Sequence, residues 1–78
     1  MRKKELKLVL TFESTAKAMA AEIYCKSMNA PGRIIPVPTQ ITAGCGLAWA
    51  ANVEEKDIIL EILAKNQAEP EGVYEIMI

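Results

Sequence analysis

The stretch RIIPVPTQITAGCGLAWAA, Arg33 to Ala51, decides the fold. Its first part, RIIPVP, is β-branched but carries Pro36 and Pro38. Proline removes a ladder donor, so this part suits an edge strand or an extended segment rather than a central strand. A glycine-bearing turn follows, and LAWAA makes a short apolar strand, so the two runs read as a hairpin between neighbouring strands.

Upstream, KLVLTF (Lys7 to Phe12) alternates Leu8, Leu10 and Phe12 against Lys7, Val9 and Thr11, which predicts a strand with one well-buried face. In the Ala-rich run after it, Ser14 or Thr15 caps a helix whose Ala16, Met19, Ala20, Ile23 and Ser27 share one side, and Asn29, Pro31 and Gly32 stop it. Downstream of the hairpin, Asn52 and Glu55 form N-x-x-E, a variant of the capping box. It opens a helix through Val53, Ile58, Ile59, Ile62 and Leu63 to about Lys65. The loop NQAEPEG leads to a last strand, VYEIMI.

The order β-α-β-β-α-β, with right-handed crossovers around the hairpin, predicts an α+β ferredoxin-like sandwich: a four-stranded antiparallel sheet with both helices on one face. The first and third strands are then central, and the prolines fall on an edge. Residues 1–78 are expected to form a single such domain. Val9, Ala48 and Ala50, with Val73 and Met77 as further candidates, are expected on the open face, an apolar surface suited to a second protomer or a partner.

Composition narrows the function. A chain of 78 residues buries only about 60% of its unfolded surface, yet 51% of its residues are apolar, which makes a homodimer plausible. Nine basic and ten acidic residues give a net charge of −1, with no footprint for nucleic acid. There is no His, so the usual proton shuttle, Cys/His zinc sites and Cys/His nucleophile pairs are excluded. No metal-like spacing appears, and neither a metal nor a cofactor is expected. Two cysteines far apart point to a reducing compartment. No stretch approaches the ~20 apolar residues of a membrane span, so a cytoplasmic protein without membrane association is expected.

Chemistry concentrates at Cys45. Gly44 and Gly46 carry no Cβ and leave room for a substrate or another protein's sulfur to approach. Glycines also tolerate positive φ, so successive amides here can converge on an anion as a nest. An unperturbed thiol of pKa about 8.5 is only a few per cent thiolate at pH 7, and lowering it to about 7 takes roughly 2 kcal/mol of differential stabilisation, which a few amide donors can supply. The closest cation in sequence is Arg33, so activation is expected mostly from backbone dipoles. Thr39, Gln40 and Thr42 are candidates for hydrogen bonds to a small polar group. Cys25, on the first helix, is a candidate second thiol if its helix end lies near the turn, and otherwise a half-buried small residue. Trp49 is expected to anchor the core or an interface. A small buried cysteine in an ordinary hairpin turn is the competing reading of Cys45.

The segment PVPTQITAGCGLAWA, Pro36 to Ala50, resembles the signature of the small selenium/sulfur carrier protein-like family, in which a proline-containing segment leads to a Ser/Thr/Ala-rich turn, Gly-Cys-Gly and an apolar strand. The likeness extends in outline over nearly the whole chain, to the closing EGVYEI. It implies a carrier rather than a turnover enzyme, with Cys45 accepting sulfur or selenium and passing it on. The partners implied are a cysteine desulfurase or a sulfur-relay protein as donor, and an acceptor enzyme. Two positions depart from the pattern: family members often have Arg after the second proline and another basic residue past the Gly-Cys-Gly strand, where this chain has Thr39 and Ala50. The alternative reading is a non-catalytic interaction or regulatory module that dimerises through its sheet. A small-molecule sensor on the same scaffold has no distinctive residue behind it.

Overall fold

The computed structural model describes residues 4–41 and 45–78. Strand β1 (Leu6–Thr11) is followed by helix α1 (Thr15–Ser27), strands β2 (Arg33–Pro36) and β3 (Leu47–Asn52), a 3-10 turn (Val53–Glu55), helix α2 (Lys56–Lys65) and strand β4 (Gly72–Met77). The sheet order is β2-β3-β1-β4 and every pairing is antiparallel. This is the expected ferredoxin-like arrangement, with β1 and β3 central and the proline-bearing β2 at an edge.

Register fixes which side chains share a face. Leu8 lies opposite Ala51 and Leu10 opposite Trp49, and these residues join Phe12, Ala18, Ala21, Cys25, Ile59 and Leu63 in the core beneath the helices. The other face carries Val9, Ala48 and Ala50 as expected, but Val73 and Met77 do not belong to it. They pair with Leu10 and Leu6 on the helix side, so Tyr74 and Ile76 are the open-face residues of β4.

The open face is also less open than the alternation implies. The connection after β2 folds across it: Ile41 packs with Val9 and Ala48, and the Gln40 side chain reaches the Met77 carbonyl on the far edge strand at 3.4 Å. Val9 is therefore buried although it faces away from the helices.

Helix α1 presents a different face from the expected one. Ser14 does cap it, its hydroxyl accepting from the Lys17 amide at 3.2 Å, but the buried side chains are Ala18, Ala21 and Cys25. Met19 and Ile23 stand 53% and 64% exposed. The space between helix and sheet is already filled by Trp49, Phe12, Leu8 and Leu10, and only small side chains let α1 approach that layer.

The predicted capping box at Asn52 does not form. The Asn52 side chain instead accepts from Lys7 Nζ at 2.7 Å, and the 3-10 turn carries the chain into α2. Both helices end alike. Asn29 and Gln67 take positive φ (57° and 51°), and the next amides, of Ala30 and Ala68, bond back to Cys25 and Leu63 carbonyls at 2.8 Å, forming two Schellman motifs.

Candidate functional site

Cys45 sits where the end of β1 meets the start of β3. Its amide donates to the Phe12 carbonyl at 3.1 Å, just before the Ser14 cap of α1. Its side chain is half-buried against the core cluster, and Sγ lies 3.8 Å from the Leu47 carbonyl, to which the thiol donates. The neighbouring Gly46 has φ of +95°, a conformation that favours glycine, and its carbonyl accepts from the Val37 amide at 3.0 Å. A Cβ built at Gly46 would meet no atom of the described residues within 4 Å. The backbone on both sides of the thiol is thus anchored to neighbouring segments, while the space beside Gly46 is clear.

These contacts alter one expectation. The Cys45 amide is committed to Phe12, so it is not a free donor for a nest around the sulfur. Thr42, expected to hydrogen-bond a small polar group, and Gly44, expected to leave room beside the thiol for a bound substrate, lie outside the described residues.

Thr39 is not brought to the thiol. It lines a groove on the open face of the sheet, together with Lys7, Arg33, Ile35, Ala50 and Asn52, and Cys45 does not line that groove. The two positions that depart from the family pattern, Thr39 and Ala50, therefore face the same groove. Sequence reasoning missed this feature, although the alternation that puts Lys7 and Val9 on one face was a usable signal for it.

Cys25 lies in the last turns of α1, whereas the Cys45 amide meets the chain just before that helix begins; about 15 Å of helical rise separates Cys25 from the first residue, Thr15. Its side chain is fully buried, and burial pushes its thiol pKa up. The structure does not bring the two thiols together at the surface, and both are free.

Trp49 is a core residue, wholly buried, and its indole nitrogen has no hydrogen-bond partner among the described residues. Among the described residues no group of His, Cys, Asp or Glu could hold a metal ion, and no helix is long and apolar enough to cross a membrane.

A family model described as "Putative Se/S carrier protein-like" matches residues 7–75. No curated protein and no solved structure matches the chain.

Proposed function

The chain belongs to the Se/S carrier protein-like family, and from that premise we propose that it carries sulfur or selenium on Cys45, as a persulfide or its selenium counterpart. The observation that supports this reading is the half-exposed thiol beside a glycine with clear space around it, on backbone anchored at Phe12 and Val37. A carrier thiol has to meet another protein's sulfur directly, so it needs an accessible sulfur on a backbone that does not recoil. Cys25 has neither access nor thiolate character, since the thiolate is the nucleophile and burial disfavours it.

The transfer itself is an exchange at sulfur. The Cys45 thiolate, having given its proton to solvent, attacks the terminal sulfur of a donor persulfide. The donor's S–S bond breaks as the new S–S bond forms on Cys45, and the donor leaves as a thiolate, so no outside oxidant is required. Repeating the exchange on an acceptor thiol returns Cys45 to its starting state. The donor fits a cysteine desulfurase or a relay protein, and the acceptor an enzyme that consumes the sulfur or selenium.

Intact-mass analysis after incubation with a cysteine desulfurase and cysteine tests this reading. One added sulfur atom is expected on the wild type and none on Cys45→Ser; no adduct on the wild type, or an equal adduct on the variant, would falsify it.

The alternative, a module that dimerises through its sheet, has weaker support because Ile41 and Gln40 already cover part of the open face.

A further inference from the structure

The groove over the open sheet face has a volume of about 850 Å³, within the range of roughly 300–1,000 Å³ typical of small-molecule sites. Its shape follows from side-chain size. The central strand β3 contributes the small Ala50 to the floor, opposite Arg33 on β2 and Val9 on β1, with the larger Ile35 and Lys7 one pair along on either side, so a depression is left in the middle of the sheet. Pro36, Val37, Pro38 and Thr39 overhang one side of it, and Ile78 closes another. The walls are therefore largely aliphatic and stiffened by proline.

The polar groups are placed at one end and carry a bias of charge. Arg33 pairs in register with Ala50, and Lys7 with Asn52, so both cations stand on the groove's face of the sheet. Lys7 is held by the Asn52 side chain at 2.7 Å and by Glu5 at 3.6 Å. Arg33 forms no ion pair with any described residue. Two cations thus face one carboxylate, and the guanidinium keeps its paired donors for an incoming carboxylate, the geometry it matches best.

We propose that this groove is a binding site for a small amphipathic carboxylate, its anionic head on Arg33 with Lys7 beside it and its apolar body against Ile35, Val37 and Ile78. The site is separate from the thiol. Cys45 takes no part in it, so the binding persists in Cys45→Ser and stands or falls independently of sulfur transfer.

The test is an amide NMR titration of the full chain with octanoate, with octylammonium as a control of equal length and opposite charge. Octanoate is expected to give saturable shifts at the amides of Lys7, Arg33, Ile35, Asn52 and Ile78, and octylammonium not to. Arg33→Gln should weaken octanoate about tenfold or more, as befits loss of the charge-assisted contact to the carboxylate. Arg33 is exposed and outside the core, so the variant keeps its fold, which its amide spectrum verifies. Absence of saturable shifts at millimolar octanoate, equal shifts with octylammonium, or unchanged affinity in Arg33→Gln overturns the proposal.

Discussion

At the scale of single residues, the least replaceable of the described glycines is Gly32, not Gly46 beside Cys45. Its φ is +126°, and a Cβ there would lie 2.5 Å from the Trp49 indole nitrogen and 2.6 Å from the Ala50 carbonyl oxygen. One obstacle is backbone and the other a ring packed in the core, so neither can move cheaply. Gly32→Ala should cost on the order of 3 kcal/mol, read from the midpoint of urea unfolding. Cys25 supports a second expectation. Because burial raises its folded-state pKa, the unfolded chain loses the thiol proton first as pH rises. The stability that this thiol contributes is complete below the unfolded pKa of about 8.5 and is lost as pH rises from there toward the folded value. Wild type should therefore lose stability over that range faster than Cys25→Ala, and parallel curves would refute the assignment.

At the scale of elements, α1 shows where apolar periodicity is insufficient. Two stripes on this helix are apolar: Met19 and Ile23 on one, Ala18, Ala21 and Cys25 on the other. Hydrophobicity alone favours the larger pair, whereas packing chose the smaller set because the sheet beneath presents Trp49 and Phe12. That preference depends on residues outside the helix, Phe12 just before it and Trp49 on β3, and is invisible within the helix. Strand order, by contrast, was legible, because Pro36 and Pro38 demand an edge and the short hairpin strand LAWAA needs neighbours on both sides. The capping box failed for a similar non-local reason, since Lys7 on β1 takes the Asn52 side chain. The assignment of faces is open to direct measurement. Ile23→Lys should leave stability within about 0.5 kcal/mol of wild type, while Ala21→Leu should lose about 1–3 kcal/mol or more through overpacking. The reverse order in thermal unfolding would restore the face suggested by periodicity.

At the scale of the whole molecule, the connection between β2 and β3 links the sheet's open face to the turn that bears Cys45. Cys45 itself could be picked out from its glycine neighbours, whereas alternation on β1 gave only the face of the groove and not its walls, which come from segments spread from Glu5 to Ile78 and meet only after the sheet has formed. The same connection accounts for Val9 being buried on a face that was expected to be exposed, with Ile41 as the side chain that holds it down. Ile41 is 8% exposed in a small cluster rather than in the main core, so Ile41→Ala should fall at the low end for such truncations, about 2 kcal/mol. Trp49 lies on the opposite face, and its native emission should remain that of a buried indole. Hydrogen exchange should quicken most at the amides of Ile41 and Val37, which bond to Pro38 and Gly46, and least in β1. Equal acceleration in β1 would mean that the connection is part of the main cooperative core and not a separate layer laid across the sheet.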